Sequence, residues 1–478
     1  MATPVGGSGS DYVSYKQMME LNRIMESNDV KGARVTEEAQ KPAETDTLDV
    51  IIISRPGAFK GAADTSQIDK TLAAKGVDVQ DTLDNIGGVE AKIKPEQLES
   101  LQKDGYVVFD NSPRNFMPGM PKVQLLGNQW DMPRIDPVKM THADDIHARG
   151  LTGKGETWAV VDSGFNFPKF NAKFWKDIAG NSSRPDDKVG HGTHVGGDIH
   201  QLAPDAEIGF VRVMGPDGSG RPSDIVKGLK WVDDNRHTYK ITGVNLSLGG
   251  ERDGMPYYLD PINMAVETLW DHGVTVISAA GNSGPESMTI GSPADDPKAI
   301  AVGAALNPKR VSDFSSRGPT DDGEVKPDFT APGEYIVSWM VPDSEMGKTA
   351  SIVQTLRNMS ADQLTQLLMQ KPDLIEALGL PEDILEKPPA ELEATLKNSL
   401  PPMYVVSKET MAAPGTSFAA PISSGIAGAI RGGDMNITPD DIKNALNDTA
   451  DNMGSQYGKY DQGHGFINAD NAAKKLGK

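Results

Sequence analysis

The sequence predicts an α/β chain: a parallel sheet with helices on both faces, preceded by a small ferredoxin-like α+β unit and carrying a helical insertion. Three observations carry this prediction. From about Trp130 onward, short near-continuous apolar runs alternate with helical patterns, as strands buried on both faces of a parallel sheet do. Residues 48–112 hold strand, helix, strand, strand, helix, strand in that order, the split βαβ arrangement. Residues 341–403 break the rhythm and read as helices bounded by prolines.

The elements follow in order. Residues 1–47 read as an extension: Tyr15, Met18, Met19, Leu21 and Met25 fall at roughly helical spacing, and Asn28 to Asp46 is polar with few core formers, so a short helix and a linker are expected. Val50 to Ile53 is an apolar strand ended by Arg55-Pro56-Gly57. Ile68, Leu72 and Ala73 share a helical face closed by Gly76, and Val77–Leu83 and Gly88–Ile93 read as strands joined by a turn. Pro95 opens a helix with Leu98 and Leu101 inward, and Tyr106–Phe109 is a last strand. Residues 113–127, rich in Pro and Gly, link this unit to a larger one at 128–478. There the strands are Trp158–Val161, Glu207–Val213, Gly243–Leu248, Val274–Ala280 and Ala299–Ala304. Helices are expected at Gly192–Ile199, Arg221–Asn235 and Pro261–His272. In the insertion, Ser360 with Gln363 makes a capping box ahead of Leu364, Leu367 and Leu368; Leu374, Ile375 and Leu378, then Leu392 and Leu396, repeat the pattern. These Leu and Met residues read as the insertion's own core.

Composition narrows the function. Among 478 residues, 47 Lys and Arg against 67 Asp and Glu leave a net charge of −20, which disfavours a nucleic-acid duplex or an anionic membrane surface as partner. The absence of cysteine excludes disulfides, thiolate metal sites and a cysteine nucleophile. No window approaches the roughly 18 uninterrupted apolar residues of a membrane span. Met1 to Asp11 lacks the basic-then-apolar order of a secretory signal, so the chain as written is expected in the cytoplasm, or exported if its start has been trimmed.

Three segments place a reactive group on special backbone. Val160-Val161-Asp162-Ser163-Gly164 ends an apolar strand in a carboxylate. Gly190-His191-Gly192-Thr193-His194-Val195 sets an imidazole at the mouth of a helix. Gly415-Thr416-Ser417-Phe418-Ala419-Ala420-Pro421 projects a hydroxyl where small residues open another helix. A serine needs a base to become a nucleophile, and the histidine needs a carboxylate to fix its tautomer. Asp162, His191 and Ser417 supply all three. Ala279-Ala280-Gly281-Asn282-Ser283-Gly284 adds an amide, Asn282, able to donate to an oxyanion together with the Ser417 N–H.

These motifs resemble those of the subtilisin-like serine proteases, with further agreement at Asp313–Pro319, Lys326-Pro327-Asp328 and Ala331-Pro332-Gly333, over about residues 128–478 outside the insertion. The resemblance implies a serine endopeptidase acting through an acyl-enzyme, with Asp162, His191 and Ser417 as triad, Asn282 in the oxyanion hole, and no cofactor required for chemistry. It also implies that residues 48–112 are a propeptide that inhibits its own catalytic domain and is cut off within Asn111 to Gly127. Polypeptides are the implied substrates, bound along Ser247, Leu248 and Gly249 with Ala279, Ala280 and Gly281 walling the primary pocket. The alternative is a catalytically silent scaffold of the same family. A nucleotide-dependent enzyme is disfavoured, since Gly218-Ser219-Gly220 lacks the lysine and spacing of a phosphate loop.

Some features depart from the pattern. Ala203-Pro204 follows His194 closely, so a longer calcium-binding loop found in many relatives is expected to be missing. Phe418 stands where relatives usually carry Met, and Ala412-Ala413-Pro414 leads into the serine segment. His194 reads as a supporting histidine and not a metal ligand. Asp295-Asp296 and Asp321-Asp322 read as solvated loop charges in preference to calcium ligands, leaving structural calcium possible but no metal site assigned.

Overall fold

The computed structural model describes residues 12–13, 15–26, 47–54, 65–117, 120–121, 135–250 and 255–478. The expected linker over 28–46, the turn at Arg55-Pro56-Gly57 and most of 118–134 lie outside the described residues.

A short strand β1 (Tyr12–Val13) and helix α1 (Tyr15–Glu26) come first. The α+β unit then runs β2 (Leu48–Ser54), α2 (Thr65–Ala74), β3 (Asp78–Leu83), β4 (Gly88–Ile93), α3 (Pro95–Lys103) and β5 (Tyr106–Asp110). Its antiparallel sheet has the order β3-β4-β2-β5, as the split βαβ pattern requires. Alternation along β2 gives the sheet two apolar faces. Val50 and Ile52 join Leu72, Val89 and Leu101 in the unit's own core, whereas Ile51 and Ile53 join the core of the larger domain. A sheet apolar on both faces demands a cover on each, and α2 with α3 can supply only one.

The second cover is the larger domain. Two short strands, β6 (Arg114–Asn115) and β7 (Met120–Pro121), lead to the short helices α4 (Pro137–Met140) and α5 (Ala143–Ala148). Then come β8 (Thr157–Asp162), β9 (Trp175–Asp177), α6 (His191–Leu202), β10 (Glu207–Arg212), β11 (Ser219–Gly220), α7 (Pro222–Tyr239), β12 (Gly243–Leu246), α8 (Pro261–Asp271), β13 (Thr275–Ala279), β14 (Ile300–Asn307), β15 (Arg310–Val311) and β16 (Phe329–Pro332). The sheet order is β15-β14-β13-β12-β8-β10-β9 with β16 beside β14, parallel throughout except for β15. β8, β12 and β13 are buried along their whole length, which accounts for their unbroken apolar character. The order reverses at β8, so the carboxyl ends of β8 and β12 form a switch point where such sheets bind ligands. The expected strand Gly243–Leu248 ends at Leu246; Ser247 and Leu248 follow its carboxyl end outside the sheet.

The chain continues through β17 (Ile336–Trp339), α9 (Glu345–Arg357), α10 (Ala361–Gln370), α11 (Asp373–Ala377), α12 (Pro389–Ser399), β18 (Tyr404–Ser407), β19 (Thr410–Ala413), α13 (Thr416–Arg431), α14 (Pro439–Asp448), α15 (Lys459–Gln462) and α16 (Ala469–Lys475). The insertion is helical as expected, with the Ser360–Gln363 capping box formed, but it opens a helix earlier, at α9, and sits on a three-stranded sheet of β17, β19 and β18. Its core is shared: Leu21 and Ile24 of α1 pack among Val353, Leu356, Leu364, Leu368 and Leu374. Helix α1 is therefore a packed part of the molecule. Each such Leu or Ile contributes about 1.5–3 kcal/mol relative to exposure.

Helices α6 and α13 lie side by side against the sheet. A Cβ on Gly425 of α13 would stand 2.5 Å from Leu202 Cβ and 2.8 Å from Ile199 O, so only glycine allows this approach. That contact sets the starts of the two helices, His191 and Thr416-Ser417, at one end of the sheet.

Candidate active site

Asp162 is the last residue of β8 and His191 the first of α6, both buried. His191 Nδ1 lies 2.9 Å from Asp162 Oδ1 and 3.1 Å from Oδ2. A nitrogen facing a carboxylate carries the proton, which leaves Nε2 with its lone pair. Burial alone would depress the His191 pKa, but the Asp162 carboxylate, with Asp187 and Asp198 behind it, outweighs burial and the net shift is upward.

The loop that delivers His191 is held by a second acid, Asp187. Its Oδ1 accepts from Gly190 N at 2.8 Å and Ser163 Oγ at 2.9 Å. Its Oδ2 accepts from Thr193 N at 2.9 Å and Thr193 Oγ1 at 2.7 Å. Ser163 Oγ in turn accepts from Gly192 N at 2.9 Å. First-turn N–H groups that a helix cannot satisfy itself are thus taken up by side chains from outside it. Gly190 has φ +92, a left-handed conformation that glycine adopts freely, and a Cβ there would stand 2.3 Å from Ser344 Oγ.

Ser417 sits in the first turn of α13. Pro421, four residues on, has no N–H to give the Ser417 carbonyl. Ser247 Oγ donates to that carbonyl instead, at 2.6 Å, and is itself held by Asn245 Nδ2 at 2.8 Å, whose Oδ1 accepts from Ser424 Oγ at 2.9 Å. The proline and the serine of the cleft edge therefore solve one hydrogen-bond problem together. Asn282 follows β13, and its Oδ1 accepts from Thr416 N and Thr416 Oγ1, both at 2.9 Å. Among the described residues, Ser417 Oγ, Ser417 N and Asn282 Nδ2 make no hydrogen bond. Phe418 packs its ring 5.4 Å from that of His191, which puts the serine turn against the imidazole.

The other positions implied by the motifs lie along the same edge. Leu248 is buried, and Gly249 N donates to Phe116 O at 3.0 Å. Ala279 closes β13, Ala280 N donates to Val302 O at 3.0 Å, and Gly281 N to Thr416 Oγ1 at 3.2 Å. Across the cleft, β11 pairs antiparallel with β6, Ser219 against Asn115 and Gly220 against Arg114. Residues 114–116 thus lie as a middle strand between Ser219–Gly220 and Gly249. Sequence reasoning gave 218–220 little weight as a phosphate loop and missed it as a cleft wall; small residues flanked by Gly were its only signal. It missed Asp187 too, which lies outside the recognised motifs.

His194 has the supporting place expected of it, with Nδ1 3.0 Å from Asp198 Oδ2 and its ring 4.3 Å from that of Phe418. Asp295 and Asp296 correct the reading as solvated charges: both are buried. Asp295 Oδ1 accepts from Asn263 Nδ2 at 3.0 Å and Asp296 Oδ1 from Lys298 N at 2.7 Å, and burial pushes the Asp296 pKa up to about 7. Asp321 and Asp322 are exposed as expected. Among the described residues, no three His, Asp or Glu side chains gather as metal ligands would, and no helix is long and apolar enough to cross a membrane.

The subtilase family model matches residues 153–465. The chain is 31% identical over 364 residues to the serine protease AprX of Bacillus subtilis (strain 168), spanning 70% of each. It is 31% identical over 263 residues to an alkaline protease of Alkalihalobacillus alcalophilus, covering 52% of this chain and 61% of that one. With subtilisin E of Bacillus subtilis (strain 168) it shares 30% identity over 284 residues, 56% of this chain and 67% of the relative. The chain belongs to the subtilase family and is a serine-type endopeptidase acting on polypeptides.

Proposed function

We propose that Ser417 is the nucleophile, His191 the general base and acid, Asp162 the group that orients His191, and Asn282 the oxyanion donor. His191 Nε2 takes the Ser417 proton as Oγ attacks the scissile carbonyl. The developing oxyanion is met by Asn282 Nδ2 and the Ser417 N–H. The imidazolium, steadied by Asp162, then protonates the departing amine, and water repeats the sequence to release the acyl group. The observation that carries this reading is the buried Asp162–His191 contact at 2.9 Å, on the nitrogen that leaves Nε2 free.

We further propose that residues 48–112 are an intramolecular inhibitor whose following strand occupies the cleft as a substrate would. Its sheet rests on α7 and α8 through polar contacts. Lys227 Nζ reaches Glu90 Oε2 at 2.5 Å and Asp81 Oδ2 at 2.9 Å, Lys230 Nζ reaches Asp84 Oδ1 at 3.1 Å, and Thr268 Oγ1 donates to Asn85 O at 2.9 Å. Arg114 to Met117 would fill the acyl side, and the cut would fall between Met117 and Met120. Leu248, Gly249 and Ala279 to Gly281 would wall the site of the acyl residue. Ser417→Ala should yield a full-length chain that stays uncut, while wild type yields a mature N-terminus inside that interval. Normal processing of the purified Ser417→Ala protein would refute self-cleavage.

A further inference from the structure

We infer that the helical insertion is a binding site for the extension helix α1, giving the inhibitory segment a second anchor beside the active site. The inference rests on the prodomain reading above and adds the part of the chain that reading leaves without a role.

The contact has the character of a built site. α1 turns Leu21 and Ile24 into the insertion's core, and Met18 into the main core. At the centre of this apolar seam is one buried amide. Asn22 Nδ2 donates to Glu345 O at 3.1 Å and to Glu345 Oε2 at 2.8 Å, while Asn22 Oδ1 accepts from Thr349 Oγ1 at 3.1 Å. A single satisfied polar group in an apolar seam fixes register. The C-terminal end of α1 is fastened as well. Lys371 Nζ donates to the carbonyls of Ile24 and Met25, where a helix C-terminus favours a cation, and Lys348 Nζ pairs with Glu26 at 3.1 Å. A helix of this length is marginal alone in water, so α1 depends on the groove.

The location gives the contact its consequence. The first turn of α9, which holds Asn22, is stitched to the loop ahead of His191: Glu345 N donates to Lys188 O at 2.9 Å and Met346 N to Val189 O at 3.1 Å. Just before α1, Tyr12–Val13 pairs antiparallel with Met120–Pro121, beyond the stretch where the cut is placed. The extension therefore holds the catalytic domain at the insertion and the new N-terminus at β7. After cleavage, the segment ending near Met117 remains attached at two linked places, its sheet on α7 and α8 and its helix on the insertion. Linked sites exceed either one by about 10²–10⁴ in avidity, so cleavage alone does not release it.

The test uses the full chain. Leu21→Asp with Ile24→Asp should leave cleavage intact but shorten the lag before peptide hydrolysis about a hundredfold, with loss of the segment from the catalytic domain on gel filtration. Glu90→Ala, on the sheet contact, is run in parallel. A shorter lag for Glu90→Ala with an unchanged lag for the α1 variant would overturn the second anchor and leave the prodomain reading standing. No change in either would overturn both. To separate undocking from misfolding, Met18→Cys supplies the only thiol of the chain in a Ser417→Ala background. That buried position should react with a thiol reagent about a hundredfold more slowly than after the two Asp substitutions are added. Reaction at the free-thiol rate in the chain without them would overturn the inference.

Discussion

The two halves of the proposed active site are built on opposite rules. On the Asp162–His191 side, Asp162 and Asp187 accept from His191, Ser163, Gly190 and Thr193, and the loop ahead of α6 is pinned. On the Ser417–Asn282 side, Ser417 Oγ, Ser417 N and Asn282 Nδ2 are left without a partner among the described residues, although Asn282 Oδ1 and the Ser417 carbonyl are firmly held. In the proposed mechanism one half positions and the other is kept open for reacting atoms. The general lesson is that fixing a group by its unreactive end leaves its reactive end preorganised without using it up.

Variants can break that contrast, and the largest effect belongs to the base. His191→Ala should lower kcat for peptide hydrolysis by about 10⁶, the cost of the equivalent loss in subtilisin, and stop processing. A residual rate far above that would move the proton to another group. Asn282→Ala should cost about 10²–10³ in kcat with little change in KM, again the scale seen for this donor in subtilisin, because the oxyanion forms only in the transition state. Ser247→Ala removes the donor to the Ser417 carbonyl. At about 1–3 kcal/mol for an unsatisfied buried acceptor, it should lower thermal stability and reduce kcat about tenfold. An unchanged kcat would mean that the Pro421–Ser247 arrangement serves folding alone.

The smallest effect sharpens the comparison by pH. The base must be neutral to accept a proton, and the His191 pKa is raised, so kcat/KM should rise with pH through a midpoint above the ordinary value of about 6.5. Asp162→Asn removes the carboxylate that raises it and leaves the burial that lowers it. The midpoint should then move down in pH, on a much reduced rate. A midpoint unmoved by Asp162→Asn would show that the rising limb belongs to another group.

Much of this molecule was legible because its signals are local. Gly88–Ile93 is bounded by a turn glycine and a lysine-proline step and appears at those limits; Pro261 marks the start of α8; Asp162, Ser417 and Asn282 each stand beside small residues at an element's end. What stayed hidden depends on partners distant in sequence. Asp187 earns its place through Gly190, Thr193 and Ser163, which no spacing rule connects. Asp295 and Asp296 look like surface charge until Asn263 and the backbone at Lys298 close over them. Helix α9 carried a usable signal in Ser344 as its cap and in Met346, Ala350, Val353 and Leu356 on one face, but its small polar residues Gly347, Thr349 and Ser351 masked it. The amphipathic pattern of α1 was visible, whereas the groove that receives it lies more than three hundred residues away.

The central claim is that Ser417 becomes nucleophilic through His191. Incubating the processed enzyme with a fluorophosphonate and mapping the adduct by peptide mass spectrometry tests it most directly. The account predicts a single covalent adduct on Ser417 that is lost when His191→Ala protein, cut in trans to the same N-terminus and purified, is treated in the same way. An adduct on a different residue, or equal labelling of Ser417 without the imidazole, would contradict it.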